Sequence, residues 1–191
     1  QWSSKIPKGG FVVDRFLDEE LGKVVQQVDL FHGHEGYLDV KEVSSVIENT
    51  GNLYSFSVDY NRGVEDGISA GKYDLVDHVD FRDFQTKQKG IRKVTPELSS
   101  FNHYITTDDV LRRVEKRGRP ADFVELLAFG ETYPNVQLKF PIVALESVFH
   151  SRGKLFAPYL GREISERSLR FALFGNGWVS SCRFMVIRDR E

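Results

Sequence analysis

Cysteine is almost absent from this sequence, which contains Cys182 alone among its 191 residues. A single thiol excludes an intrachain disulfide and a thiolate metal cluster within one chain. Disulfides are rare in reducing compartments, so this usage favours a cytoplasmic protein. Cys182 stands among apolar residues of a predicted strand, where a free thiol is usually buried rather than reactive.

Long apolar runs are also lacking. Stretches such as Phe184–Ile187 fall far short of the roughly 20 residues that a membrane-spanning helix needs, so we expect no membrane partner. The sequence has no glycine-rich phosphate loop, Gly-x-Ser-x-Gly turn, His-Glu-x-x-His motif or EF-hand loop. We therefore assign no catalytic residue, no metal ligand and no cofactor, and the sequence favours a protein that is not an enzyme.

What is present is the composition of a globular protein, with 40% hydrophobic, 13% aromatic and 28% charged residues. Charge is uneven along the chain, because residues 86–120 carry nine Lys and Arg but only four Asp and Glu, a net charge of +5. Such a segment favours an anionic partner or an acidic surface of the same chain. The basic segment Lys87–Lys93 has no interleaved aromatic residue for base stacking, so nucleic acid is not the expected partner.

The first 53 residues are predicted to form a helical extension. Apolar residues at helical spacing mark a first helix, and a second begins with a capping-box pattern at Asp39 and Glu42 and ends near Gly51. The buried positions of the first helix are Leu17, Leu21, Val24, Val25 and Val28. Residues 54–191 are then expected to form an α+β domain.

Within that domain the pattern alternates between strands and helices. A half-buried strand is predicted over Tyr54–Tyr60, followed by a short helix that ends at Gly71. A helix pair follows, the first capped by Thr106 or Thr107 and the second running from Pro120 to Gly130. Short strands complete the chain at Ile142–Leu145, Leu155–Leu160, Leu169–Phe174 and Trp178–Ile187. This order predicts the α+β class with a mainly antiparallel sheet, in which the last strand, about Arg183 to Arg188, is central or paired on both sides.

One cluster of metal-ligand types occurs, at His32, His34 and Glu35. Alternate residues of a strand would place both imidazoles on one side with a carboxylate nearby. This pattern keeps a metal-dependent hydrolase open as an alternative function, to be recognised by stoichiometric metal in the purified protein. A third alternative is a structural or assembly protein, which would form a large stable oligomer; the sequence leaves the oligomeric state open.

Three segments carry a family resemblance: Arg119–Glu131, Phe140–Leu145 and Trp178–Arg188. Together with Ser57–Tyr60 and Ala70–Asp74, they resemble a family of uncharacterised bacterial proteins. The part from about residue 100 to 191 is also similar to C-type-lectin-like domains of the formylglycine-generating-enzyme and retroelement-diversified branches. That likeness implies a scaffold whose late loops and strands display a binding surface.

The resemblance implies neither oxidase nor calcium-dependent lectin chemistry. Cys182 stands alone where the formylglycine-generating enzymes use paired cysteines, and the Glu-Pro-Asn and Gln-Pro-Asp sugar-binding tripeptides are missing. The prediction is thus a binding module for a protein or a small anionic ligand. Arg and Trp supply much of the energy at recognition surfaces, which directs attention to the stretch between Gly161 and Trp178. The predicted ligand-binding residues are Arg162, Arg167, Arg170, Asn176 and Trp178.

Overall fold

A central strand organises the part of the chain that the computed structural model describes, namely residues 54–81, 84 and 86–188. This strand, β10 (Arg183–Ile187), pairs antiparallel with β4 (Pro96–Ser100) and β5 (Arg119–Pro120), and parallel with β6 (Ile142–Val143). The predicted central position of the last strand is confirmed. Its side chains are buried on both faces, which explains the unbroken apolar run in the sequence.

The main sheet has eight strands in the order β2-β9-β8-β6-β10-β4, with β5 beside β10 and β7 beside β8. Its remaining members are β2 (Leu75–Val76), β7 (Phe149–Ser151), β8 (Lys154–Glu163) and β9 (Glu166–Leu173). Among the described strands, only the pairs β6–β10 and β2–β9 are parallel. A separate two-stranded antiparallel sheet joins β1 (Phe56–Asp59) to β3 (Ile91–Val94). The predicted α+β class with a mainly antiparallel sheet is confirmed.

Three α-helices lie in the described residues: α1 (Val64–Gly71), α2 (Thr107–Val114) and α3 (Phe123–Thr132). The start of α2 is fixed by Thr106, whose hydroxyl accepts a hydrogen bond from the Asp109 amide. Asp108 and Asp109 lie in its first turn and Arg112 and Arg113 in its last, so both ends complement the helix dipole. A 3-10 turn, Val136–Leu138, follows α3.

The core consists of two apolar clusters, and successive side chains of the central strand β10 belong alternately to one and the other. Met185 and Ile187 of β10 belong to the larger cluster, which also contains Leu126 and Phe129 of α3. Phe184 and Val186 belong to the other, with Val110 and Val114 of α2 and the indole of Trp178. The period of two along β10 thus distributes successive side chains between the two clusters.

Several boundaries differ from the sequence prediction, and two of them concern the segments beside the central strand. Pro120 does not open a helix: it lies in β5 opposite Val186, and α3 begins three residues later because Asp122 caps it. The last strand begins at Arg183, whereas Trp178 forms only an isolated bridge with Ile105. The predicted N-terminal helices and the His32, His34 and Glu35 cluster lie outside the described residues.

Gly118 lets the chain pass close to the central strand on its way from α2 to β5. A β-carbon at this position would lie 2.2 Å from the carbonyl oxygen of Ile187, so a side chain would force the two backbones apart. The approach aligns Arg119 with Ile187 and delivers Asp122 to the start of α3. This short connection therefore sets the position of the polar residues described next.

Candidate functional site

Arg167, one of the predicted ligand-binding residues, is used inside the protein. Its guanidinium donates hydrogen bonds to the carbonyl oxygens of Gly71 at 2.5 Å and Gly130 at 2.7 Å, and to the side-chain oxygen of Gln137 at 3.0 Å. It also lies over the ring of Tyr73, 5.0 Å from the ring centre. Burial lowers the pKa of Arg167. The side chain holds the ends of α1 and α3 to β9.

Arg170 is also committed to ion pairs. Its guanidinium lies 2.5 Å from the carboxylates of both Asp77 and Glu163. Those contacts, more than burial, raise the pKa of Arg170. Arg162 and Asn176 are exposed, the first near the end of β8 and the second in the turn after β9. The five predicted residues therefore do not form one accessible surface.

Trp178 was expected to be accessible, and this expectation is wrong. Its side chain is 5% exposed, and its indole N–H donates a 2.9 Å hydrogen bond to the Thr107 hydroxyl. The ring packs edge-on against Phe184 at 5.8 Å. Trp178 thus holds the start of α2 to the core, because its buried indole N–H finds a hydrogen-bond acceptor in the first residue of that helix.

A polar cavity of about 180 Å³ lies at the N-terminus of α3. Three separate chain segments form its wall. They are the loop after Phe84, the stretch around β5 and the start of α3, and the segment after Leu145. The lining residues are Phe84, Thr86, Lys87, Gln88, Arg119, Asp122, Glu146, Ser147 and Val148.

Asp122 is the most buried charged residue of this wall, with 5% of its surface exposed. One carboxylate oxygen accepts a 2.9 Å hydrogen bond from the Glu125 amide, and the other accepts a 2.6 Å bond from the Thr86 hydroxyl. Burial and the nearby charge of Glu125 raise the pKa of Asp122 against the effect of these bonds. A carboxylate has about four lone-pair positions, so acceptor capacity remains for a ligand.

Glu125 supports Asp122 from behind the wall. The Glu125 carboxylate is 0% exposed and accepts bonds from the Asp122 amide at 2.8 Å and from the Tyr60 hydroxyl at 2.5 Å. The reciprocal bonds between Asp122 and Glu125 form a capping box. Burial, followed by the hydrogen bond to Glu125, raises the pKa of Tyr60 well above its usual range. The phenol stays a donor to the carboxylate.

Arg119 links the buried cluster to the cavity. Its guanidinium meets Glu125 through two nitrogens, at 3.0 and 2.5 Å, while its side chain remains 25% exposed. Burial works to lower the pKa of Arg119, but the bonds and charge of Glu125 outweigh it and raise the pKa. A bidentate pair of this kind fixes the plane of the guanidinium. The cation that faces the cavity is therefore held in one orientation.

Backbone and hydroxyl contacts place the other two segments. The Glu146 amide donates to the carbonyl of Ala121 at 3.1 Å, and the Ser147 hydroxyl accepts from the Phe123 amide at 2.9 Å. The hydroxyl of Thr86, which donates to Asp122, also accepts from the Gln88 amide at 3.1 Å. These bonds bring the charged groups of Lys87 and Glu146, both exposed, to the wall.

Sequence reasoning missed this cavity. The one local signal was the Asp-x-x-Glu spacing of Asp122 and Glu125, which is the pattern of a capping box. Nothing local indicated that residues 86–88 and 146–148 would meet at that helix start. Among the residues that the structure describes, no group of three or more His, Cys, Asp or Glu could hold a metal ion.

Cys182 is buried, as the sequence predicts, and burial raises the pKa of its thiol.

Among the described residues, no helix has the length and apolar character needed to span a membrane. Comparison with family models, with curated proteins and with solved structures found no match to this chain. The resemblances to a bacterial family and to C-type-lectin-like domains stay predictions.

Proposed function

We propose that the protein is a binding module whose cavity at the start of α3 takes a small polar ligand carrying both a positive and a negative group. The observation that supports this most is the oriented pair of opposite charges in the wall, the guanidinium of Arg119 and the carboxylate of Asp122. The buried Glu125 carboxylate fixes the guanidinium, and the Glu125 amide and the Thr86 hydroxyl fix the Asp122 carboxylate. A site that is already ordered loses little entropy when a ligand binds.

The size and lining of the cavity define the ligand class. A volume of about 180 Å³ is smaller than the roughly 300 to 1,000 Å³ of pockets that hold drug-sized ligands. It suits a compact molecule rather than a drug-sized one. Lys87 and Arg119 complement a carboxylate, Asp122 and Glu146 complement an ammonium, and Phe84 and Val148 add apolar surface. A small amino acid has this combination of groups.

Thermal unfolding with millimolar probes tests the proposal. Glycine and serine carry both charges, whereas acetate and ethanolamine each carry one. A ligand at ten times its dissociation constant stabilises the folded state by about 1.4 kcal/mol, or about 3 to 6 °C for a chain of this size. We expect glycine or serine to raise the melting temperature more than either singly charged probe.

Variants of exposed wall residues show where the probe binds. Lys87→Gln and Glu146→Gln should reduce the shift, because each removes one charge from the wall without touching the buried cluster. Lys154→Gln and Glu166→Gln are matched controls, since both residues are exposed on β8 and β9 and neither lines the cavity. Equal stabilisation by all four probes, no stabilisation by any at 10 mM, or equal losses in the controls would contradict the proposal.

Two other predicted functions stay open as predictions. A metal-dependent hydrolase would rest on His32, His34 and Glu35, which lie outside the described residues. Metal analysis of the purified protein, with and without replacement of His32 and His34 by alanine, tests it. An assembly protein would appear as a large oligomer in light scattering at micromolar concentration. The prediction of a cytoplasmic protein likewise awaits fractionation of the source cell.

A further inference from the structure

A second recess, separate from the cavity described above, is lined by basic rather than mixed charges. It is a cleft of about 580 Å³ between the end of β4 and the C-terminal end of α2. Its lining residues are Ser99, Ser100, Phe101, Asn102, His103, Arg113, Lys116 and Arg117. We propose that this cleft binds a compact polyanion with the chemistry of a di- or triphosphate group.

Three cations meet on one side of the cleft. Arg113 lies in the last turn of α2, and Lys116 and Arg117 lie in the turn that follows the helix. Within the described part of the chain, no carboxylate lies within ion-pair distance of Arg113 or Lys116. Their charges are therefore not neutralised by a direct protein contact.

Arg117 is held in place by groups beside the cleft. Its NH1 atom donates to the Glu97 carboxylate at 2.6 Å and to the Ser99 hydroxyl at 3.1 Å. Glu97 also receives Arg188 at 2.6 Å. Burial works to raise the pKa of Glu97, but Arg188 and Arg117 together lower it, so this anchor remains charged. Both bonds that Arg117 donates leave from NH1, and its Nε and NH2 donors remain for a ligand.

Arg113 is ordered by an aromatic ring. Its guanidinium carbon lies 5.2 Å from the centre of the Phe101 ring, and that ring packs against Phe184 at 5.7 Å. A stacked guanidinium keeps its in-plane N–H donors free for hydrogen bonds. The guanidinium occupies a face of the Phe101 ring, and a nucleic-acid base would have to displace it to stack there.

These features favour phosphate groups over the other anions. Clustered arginines suit the tetrahedral oxygens of phosphate, and three cations exceed the charge of a single carboxylate. The exposed Ser100, Asn102 and His103 add further hydrogen-bonding groups at the rim. Single-stranded nucleic acid needs stacking platforms in addition to charge, and the one Phe, Tyr or Trp among the described lining residues, Phe101, already carries the Arg113 guanidinium over its ring. A short polyphosphate matches what the cleft contains.

Titration with inorganic pyrophosphate and tripolyphosphate, followed by two-dimensional NMR of the full chain, tests the proposal. We expect saturable shifts of the amides of residues 99–103 and 113–117, with tripolyphosphate tighter than pyrophosphate and both tighter than acetate. Raising the salt from about 20 to about 300 mM should weaken binding, because exposed charges are screened beyond the Debye length. Each of the variants Arg113→Gln and Lys116→Gln should weaken binding about five- to tenfold.

Arg112→Gln is the matched control. Arg112 lies on the same helix, is 73% exposed and pairs with Asp109, but it does not line the cleft. The proposal is overturned if Arg112→Gln weakens binding as much as Lys116→Gln, if the shifts lie elsewhere, or if millimolar tripolyphosphate causes none. A single-stranded oligonucleotide that binds much more tightly than tripolyphosphate would also overturn it. Glycine binding at the other cavity is unaffected by these outcomes.

Discussion

Replacing Arg167 by alanine tests the structural role that the fold gives this residue. The side chain donates to two backbone carbonyls, those of Gly71 and Gly130, and to the Gln137 side chain. Losing a donor to a buried acceptor costs about 1 to 3 kcal/mol. Because water can reach part of the half-buried guanidinium, we expect a total loss of about 3 kcal/mol rather than the sum of three full bonds.

Arg162 provides the comparison, because it faces Arg167 across the β8–β9 ladder and is exposed. Arg162→Ala should change the free energy of unfolding by less than about 0.5 kcal/mol. Arg167→Lys should fall between the two, since a lysine keeps the charge but cannot reach three acceptors in a planar fork. Urea unfolding followed by circular dichroism measures all three. If Arg167→Ala matched Arg162→Ala, the proposed link between α1, α3 and β9 would be refuted.

Three further changes have expected results in the same unfolding assay. Glu125→Gln should lower the free energy of unfolding by about 3 kcal/mol, because it leaves the half-buried Arg119 without its anion. Glu131→Gln, in the exposed pair with Arg62, should lower it by less than about 1 kcal/mol. Similar losses in the two variants would contradict the role given to the Arg119–Glu125 pair. Asp122→Asn keeps a good N-cap. Because the pKa of Asp122 is raised in the folded state, the stability that Asp122 contributes is greatest below the ordinary carboxyl pKa of about 3.9 and is lost as the pH rises through the folded pKa. Asp122→Asn should therefore flatten the decline of the free energy of unfolding with pH. An unchanged pH profile would count against this role of Asp122. Ile164 lies in the β8–β9 turn with a φ of 57° and is 96% exposed, so its side chain strains the backbone and packs against little. Ile164→Gly should therefore stabilise the protein by about 1 kcal/mol. A loss of stability would show that the turn is not strained.

Much of the fold could be predicted because the local signals agreed with the tertiary contacts. Thr106 and the two aspartates after it mark the start of α2, and the apolar run of β10 identifies a strand buried on both faces. Pro120 misled because proline is favoured in a first helical turn but is also tolerated in an edge strand such as β5. The capping box formed by Asp122 and Glu125 starts the helix at Phe123 and so leaves Pro120 in the strand.

The candidate sites were much less predictable. Arg162 and Arg167 look alike in sequence, yet one is exposed and the other bonds to two helix ends, which depends on where Gly71 and Gly130 lie. The cavity draws on segments from residues 84 to 148 that meet only when β5 reaches β10. The basic cleft is nearer to a sequence signal, since residues 86–120 carry the excess of positive charge that includes Arg113 and Lys116.

The central claim is that the cavity at the start of α3 binds a small ligand carrying both charges, and amide NMR of the full chain with glycine and serine tests it most directly. The account predicts saturable shifts confined to the amides of residues 86–88, 119, 122 and 146–148, which are reduced by Glu146→Gln and unchanged by Glu166→Gln. Shifts that map to the 99–117 cleft, shifts spread evenly over the protein, or no shifts at 10 mM would contradict it.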